Sequence, residues 1–478
     1  MKNTQQHNLD FLFHPDSIAL VGITTTQPQH WTRTFLEGLI EMEFDRPLYL
    51  VNPKGGEIKG RKVHTSLKDV PGNIDYVIGL VNARIAPKLV EECAEKKVRA
   101  IHFCTAGFSE TGEESRIKLE SELTEVARRN GIRVIGPNCM GIYCPKSRLS
   151  FSPAFPKESG PVGVISQSGG NSIYLVRQAA LRGVRFSKVV SYGNACDIDE
   201  SDLLEYLAHD VDTKIIALYI EGIKDGRRFR KALEEATNEK TVVLLKGGTT
   251  EGGARAVAGH TASLAGSRAT WDALCKQLGI ISVSSLEEMI DVLVTLLFLP
   301  LPGGRNALLF GAGGGASVLI ADQFESSGFR VPPIPPEMVA QISEFTPIAG
   351  NILRNPIDYS QAMTNIEGVI KTFAILSRWE GADFFVMFIR IGQFTGSRIS
   401  DHQLGYLLMS RFPIKQGQLP KPVVMVIEPS IIPEEAEAIM AAICNSILSG
   451  LPVYYSFATA ANAINLVLNH SEKQSGKF

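Results

Sequence analysis

Three times along this 478-residue chain an apolar run ends in small residues and is followed by a helical pattern: Ser17-Ile-Ala-Leu-Val-Gly22, Val162-Gly-Val-Ile-Ser-Gln-Ser-Gly-Gly-Asn171 and Asn306-Ala-Leu-Leu-Phe-Gly-Ala-Gly-Gly-Gly-Ala316. Apolar residues at consecutive rather than alternate positions fit a strand buried on both faces, as in a parallel sheet. Further strand candidates stand at 47–51, 75–81, 99–104, 132–135, 214–220, 241–246, 383–389 and 421–427. Helical periodicity falls at about 31–42, 84–96, 113–130, 173–181, 432–448 and 456–469. Strand and helix in alternation predict a doubly wound α/β architecture with parallel sheets throughout. The length suits about three domains. A Pro- and Ser-containing connection at 145–161 and the linker Pro300-Leu-Pro-Gly-Gly304 divide the chain into 1–145, 146–300 and 301–478, with a disordered tail expected from Ser471.

A composition of 44% hydrophobic and 21% charged residues, with a net charge of −2, offers no basic footprint for nucleic acid. The chemistry expected is that of small molecules. Seven scattered cysteines show no metal-ligand spacing, so they read as reduced cytosolic thiols, and no metal site is expected. The amino terminus lacks the apolar stretch of a signal peptide, and the longest apolar run, Met289 to Leu301, contains Asp291 and Pro300. That run reads as a buried helix end, not a membrane span.

Ligands of doubly wound sheets bind outside the carboxyl ends of the strands, so the loops after Gly22, Val51, Val81 and Phe103 should line one site. The first of them, Gly22 to Trp31, has a single glycine and no dinucleotide fingerprint, which disfavours a dehydrogenase. Its hydroxyls Thr24, Thr25 and Thr26 could bond a phosphate or simply cap the next helix. Ser168, Gly169 and Gly170 lie where a strand meets a helix N-terminus; the turn is either an anion site or an ordinary connection. Glu221 closes the strand at 214–220, where it could hold a histidine's ring nitrogen or serve as a capping or surface glutamate. His260 sits in a run of small residues after Gly-Gly-Thr-Thr-Glu-Gly-Gly-Ala-Arg (247–255), read as a glycine-rich loop that displays it. A displayed imidazole can be a base, a metal ligand, a nucleophile for a phosphoryl group, or a loop residue with no task.

Taken together, Gly136-Pro-Asn-Cys-Met-Gly141, Ile165-Ser-Gln-Ser-Gly169, Tyr219-Ile-Glu-Gly222, His260-Thr-Ala-Ser-Leu-Ala-Gly266, the glycine turn 311–316, Asn355-Pro-Ile-Asp358 and Gly450-Leu-Pro-Val-Tyr454 make the chain resemble the NDP-forming acyl-CoA synthetases over nearly its whole length. The resemblance is to the succinyl-CoA synthetase type, and more closely to the α subunit of ADP-forming acetate–CoA ligase. It implies a Rossmann-like CoA-binding domain followed by two flavodoxin-like domains. It further implies that His260 is phosphorylated during turnover, that Glu221 supports it, and that helix ends at Ser168, Gly169, Gly170 and at Gly313, Gly314, Gly315 hold phosphate. Gly22, Thr24, Thr25, Lys54, Val81, Asn82, Thr105, Ala106 and Asn138 would then contact coenzyme A. No ATP-grasp region is visible, so the resemblance implies an ATP-grasp β subunit, in an α2β2 assembly, that carries ADP or ATP with Mg2+. Glycines common in the family's CoA-binding turn appear here as Gln29 and Thr32, and a further one as Ala262. Against a catalytic α subunit stands a second reading, a non-catalytic acyl-CoA-binding or regulatory subunit of the same fold.

Overall fold

The computed structural model describes residues 8–261, 267–311, 313–347, 350–359, 366–389, 415–417, 420–429 and 433–476; the side chains at 258–261, 366, 389 and 433–435 are outside the description. Among the described residues the chain forms three sheets. The first contains β1 (Ile18–Val21), β2 (Leu48–Val51), β3 (Gly56–Ile58), β4 (Arg61–His64), β5 (Tyr76–Gly79), β6 (Ala100–Phe103) and β7 (Arg133–Ile135), in the spatial order β3-β4-β2-β1-β5-β6-β7. Without the antiparallel β3, its parallel strands follow the Rossmann order 3-2-1-4-5-6. β1 is buried at every position and pairs with β2 on one side and β5 on the other, which is why its sequence is apolar throughout. Helices α1 (Asp10–Phe13), α2 (Arg33–Glu41), α3 (Ala86–Glu95) and α4 (Glu114–Arg129) belong to this part of the chain. Leu89 and Val90 of α3 and Leu123 of α4 pack with Val77, Ile101 and Val134 of the sheet.

The second sheet contains β8 (Gly141–Tyr143), β9 (Ser159–Ser166), β10 (Phe186–Ser191), β11 (Ile215–Ile220), β12 (Thr241–Lys246) and β13 (Ile281–Val283), in the order β13-β12-β11-β9-β10-β8. Its parallel strands, numbered within the sheet, run 2-1-3-4-5, the flavodoxin order. Helices α5 (Gly169–Ala180), α6 (Glu200–His209), α7 (Gly226–Glu239), α8 (Glu251–Thr261), α9 (Arg268–Leu278) and α10 (Leu286–Phe298) connect or follow these strands. The third sheet contains β14 (Ala307–Phe310), β15 (Ile352–Leu353), β16 (Ile357–Asp358), β17 (Phe384–Ile389), β18 (Val423–Ile427) and β19 (Val453–Tyr454), ordered β15-β16-β14-β17-β18-β19. Its parallel strands repeat the flavodoxin order, served by α11 (Gly314–Ser326), α12 (Pro336–Ser343), α13 (Ile366–Leu376) and the helices Pro433–Leu448 and Phe457–Gln474.

The chain packs into two compact units: Met1–Ala180 with Arg185–Met289, which holds the first two sheets, and Leu181–Val184 with Ile290–Phe478, which holds the third. In the second unit the buried Arg182 guanidinium is fixed by Asp291 (2.5 Å) and the Val453 carbonyl (2.9 Å from Nε).

Several expectations need correction. Each sheet carries one antiparallel edge pair, β3 with β4, β8 with β10 and β15 with β16, so the sheets are parallel-dominated, not parallel throughout. Such two- and three-residue edges leave too short a periodicity to read. Residues 1–145 do not all serve the first sheet: β8, which follows the turn Gly136–Gly141, joins the second. The tail does not lose structure at Ser471, because the helix from Phe457, capped by Ser456 Oγ on Thr459 N (3.2 Å), runs to Gln474.

Candidate active site

Three sheets with these orders create three switch points, where neighbouring strands send their connections to opposite faces and leave a crevice at the carboxyl edge. In the first sheet the crevice opens between β1 and β5. Gly22 turns there with φ +95°, and a Cβ on it would stand 2.5 Å from the Leu80 carbonyl, so two backbone requirements select glycine. Asn52 Nδ2 donates to the Ile23 carbonyl (2.9 Å), and its Oδ1 accepts from Lys54 N (2.9 Å), tying the loop after β2 to the loop after β1. Thr105 Oγ1 donates to the Val81 carbonyl, and Asn138 N donates to the Thr105 carbonyl (2.9 Å). Asn82 Oδ1 caps Arg84 N at 3.1 Å. The structure therefore gathers Gly22, Thr24, Thr25, Lys54, Val81, Asn82, Thr105 and Asn138 on hydrogen-bonded loops at one sheet edge, with Lys54, Asn82 and Ala106 exposed. Thr32 is buried, and its Oγ1 accepts from Thr24 N at 3.3 Å, so that backbone N–H is already engaged inside the loop. Arg33 Nε holds the Thr24 carbonyl at 2.7 Å.

The second switch point lies between β9 and β11. Helix α5 begins there at Gly169, with Ser168 Oγ accepting from Asn171 N at 3.3 Å. A Cβ on Gly169 would meet Met140 Cγ at 2.6 Å, whereas one on Gly170 would meet nothing within 4 Å, so the helix end is open on the Gly170 side. Glu221 follows β11 directly and is 5% exposed. Its carboxylate Oε1 accepts from the Tyr219 hydroxyl at 3.1 Å, and burial, with the carboxylate second, pushes the Tyr219 pKa up. A buried carboxylate thus stands beside an open helix N-terminus, a combination suited to orienting a cationic or hydrogen-donating partner of a bound anion.

Two side chains with no role assigned from the sequence complete this edge. Gln167 Oε1 accepts from Glu221 N (2.5 Å) and Gly222 N (3.0 Å). Lys246, the last residue of β12, donates to the Glu221 carbonyl at 2.7 Å and to the Gly247 carbonyl, and its ammonium lies 5.3 Å from the Trp271 ring centroid. Burial lowers the Lys246 pKa to about 8, with the Glu221 carboxylate acting in the opposite direction. One signal for it was available: a lysine ending a strand that is apolar at the four preceding positions.

The segment that carries His260 is not the loop expected from its glycines. Glu251–Thr261 is helix α8, begun by Thr250 Oγ1 accepting from Gly253 N at 3.1 Å, with Glu251 in its first turn. Ala254, Ala256 and Ala258 favour the helix, and the burial of Val257 and the packing of α8 on Ser109–Thr111 work against the cost of Gly252 and Gly253. His260 falls in the last turn of α8; its imidazole, and Ala262 with the rest of 262–266, lie outside the described residues. The helix packs against the 3-10 turn Ser109–Thr111 after β6, which brings it to the same side of the unit as the Thr105 loop.

In the second unit the switch point lies between β14 and β17. Gly311 has φ +100°, and a Cβ on it would stand 2.6 Å from the Phe388 carbonyl of β17. Gly313 is the N-cap of α11, and Gly315 has nothing within 4 Å of its Cβ position. Asp358 Oδ2 is 3.6 Å from the Cβ position of Gly314, which puts the end of the Arg354–Asp358 segment against this helix end. Asn355 anchors that segment through bonds to Leu309 N (2.9 Å) and the Ala307 carbonyl (2.8 Å).

Residues 16–145 match the model of a CoA binding domain, and 159–296 that of the succinyl-CoA ligase like flavodoxin domain. The fold and the site edges thus define a CoA-linked ligase of the succinyl-CoA ligase type. The chain is 32% identical to the acetate–CoA ligase [ADP-forming] II subunit alpha of Pyrococcus furiosus, over 98% of this chain and 99% of that one. It is 37% identical to acetate–CoA ligase [ADP-forming] I of Archaeoglobus fulgidus, over 78% of this chain but 54% of the relative. The solved acetyl-coenzyme A synthetase 1 of Ca. Korarchaeum cryptofilum, in complex with phosphate and ADP, superposes with a TM-score of 0.79 at 29% identity, covering 98% of both chains. The chain belongs to the NDP-forming acyl-CoA synthetase family.

Proposed function

We propose that the chain is the α subunit of an ADP-forming acid–CoA ligase that interconverts acyl-CoA, ADP and phosphate with free acid, CoA and ATP. The observation that carries this reading is the buried Glu221 carboxylate beside the open N-terminus of α5, in the same unit in which α8 packs against the Ser109–Thr111 turn of the Rossmann part. A phosphate oxygen attacks the thioester carbon, the carbon–sulfur bond breaks, and CoA leaves with acyl phosphate as the other product. A nitrogen of His260 then attacks phosphorus, the bond to the acyl oxygen breaks, and the carboxylate leaves. The phosphoryl group finally passes to ADP, and the imidazole is regenerated. Splitting the transfer in this way suits an imidazole, which attacks as the neutral base and departs as readily.

In this scheme Glu221 accepts from the second ring nitrogen of His260, and the helix ends at Ser168–Gly170 and at Gly313–Gly315 each offer unpaired N–H groups to phosphate oxygens. The loops bearing Gly22, Thr24, Thr25, Lys54, Val81, Asn82, Thr105, Ala106 and Asn138 contact CoA. An ATP-grasp β subunit, in an α2β2 assembly, carries the nucleotide and Mg2+. That partner is supported by coverage: the Pyrococcus subunit alpha is matched over 99% of its length, while the Archaeoglobus enzyme, not named a subunit, is matched over 54%. Seven unpaired cysteines support a reducing, cytoplasmic setting. Among the described residues no helix is long and apolar enough to cross a membrane.

Intact-mass measurement without acid quenching, after incubation with phosphate and a panel of acyl-CoA thioesters, tests the relay. A phosphate-sized gain is expected in the wild type and none in His260→Ala, and the thioester that produces it identifies the acyl group. No gain with any thioester, with and without the β partner, would leave the second reading, an acyl-CoA-binding regulatory subunit. One observation favours that alternative: Thr32 Oγ1 engages the Thr24 N–H that would otherwise face a CoA phosphate.

A further inference from the structure

Both main-chain polar atoms of Glu221 are held by buried side chains at the ends of the two strands that flank β11. On the β9 side, Gln167, 5% exposed, accepts from the Glu221 and Gly222 amides at 2.5 and 3.0 Å. On the β12 side, Lys246, 8% exposed, donates to the Glu221 carbonyl at 2.7 Å. Lys246 pairs in register with Ile220, so its side chain leaves the sheet on the face opposite those of Tyr219 and Glu221 and grips the peptide from behind. A residue just past a strand end normally loses its ladder partners and acquires freedom; here two side chains replace the ladder. The same ammonium also bonds the Gly247 carbonyl, the start of the connection that leads to α8.

We propose that Gln167 and Lys246 are positioning residues that together clamp the Glu221 peptide, fixing where its carboxylate meets the phosphohistidine. The proposal rests on the reading of Glu221 as the partner of His260. Burying an ammonium is costly unless its charge has work to do, and two neutral carbonyls alone do not require one. Beside Lys246 Nζ stands the indole of Trp271 from α9, which does not titrate, and the Glu221 carboxylate, with the Tyr219 hydroxyl bonded to it, acts on the ammonium from the other face of the sheet. With its pKa near 8, the ammonium is charged at neutral pH and discharges in mild alkali.

The test uses the holoenzyme with its nucleotide-binding partner, and the variants Gln167→Met, Lys246→Met and Lys246→Arg. Single-turnover formation of phosphohistidine from phosphate and acyl-CoA should slow at least tenfold in both Met variants at saturating substrate, with KM for either substrate changed less than twofold. The wild-type rate should fall as pH rises through about 8, and Lys246→Arg, whose guanidinium stays charged, should keep its rate to higher pH. Met variants that stay folded and turn over normally, or a Lys246→Arg profile superposing on the wild type, would overturn the clamp. Should the Met variants not fold, the two pH profiles decide. Amide exchange read by mass spectrometry separates the two levels of the argument. Absence of phosphohistidine in the wild type sinks the functional reading, whereas the clamp fails if Glu221 and Gly222 amides exchange no faster in Gln167→Met than in the wild type.

Discussion

Glycine and threonine settle the first loop by different means. Gly22 is demanded by a positive φ and by the Leu80 carbonyl behind it, so its presence was predictable from any strand that must turn there. Thr32 has a use that spacing could not reveal, because its hydroxyl reaches back eight residues to the Thr24 amide. Removing that hydroxyl while keeping the backbone unstrained should release the amide to a ligand. Thr32→Ala is expected to bind CoA several-fold tighter by calorimetry, a gain of about 1 kcal/mol from one recovered hydrogen bond, while Thr32→Ser should match the wild type. Weaker binding by the Ala variant would mean that Thr32 supports the CoA loop instead of competing with it. At this scale the residues forming the candidate site were largely legible, since Ser168, Glu221 and Asn138 stand in motifs. Gln167 and Lys246 were not, because their partners are main-chain atoms on neighbouring strands.

Among the elements, strands were the most readable and α8 the least. An apolar run reports burial on both faces directly, whereas glycines at 247, 248, 252 and 253 argue for a loop unless one knows that Thr250 caps a helix that then packs against Ser109–Thr111. The helix ends proposed to hold phosphate lend themselves to a substitution that separates stability from binding. At Gly170 an added Cβ meets nothing within 4 Å, so Gly170→Ala should stabilise α5 by about 0.5 kcal/mol through the lower backbone entropy of alanine. The same methyl would intrude on an anion seated at the helix end, so the phosphate Kd should rise about tenfold, equivalent to about 1.4 kcal/mol. A variant that gains thermal stability and keeps its phosphate affinity would remove Ser168–Gly170 from the anion site.

For the molecule as a whole, stability against pH is shaped by a buried histidine to which the proposed mechanism gives no part. His102, on β6, is buried, with the Tyr76 ring stacked 6.1 Å away, and its pKa is pushed down to about 3 by desolvation. In the unfolded chain the imidazole takes a proton near its ordinary value of about 6.5. The native state therefore keeps its full stability above that pH and loses about 1.4 kcal/mol per pH unit below it, until the native group itself protonates. Chemical denaturation of the wild type between pH 7 and 4.5 should show this slope, and His102→Phe should flatten it; an unchanged slope would assign the acid sensitivity to other groups.

The class of architecture, the strand-to-helix turns at Gly22, Ser168 and Gly311, and the family could all be read along the chain, because these depend on local rules: consecutive burial, positive φ and motif spacing. Which strands are neighbours emerges only in the folded molecule. Strand order places the α5 end beside Glu221, sends β8 to the second sheet, turns the glycine-rich segment into a packed helix, and sets Gln167 and Lys246 on either side of one peptide. The physical reason is that such contacts join residues 25 to 55 positions apart in the chain, beyond the reach of any helical or strand period, and are selected by the burial of whole sheets.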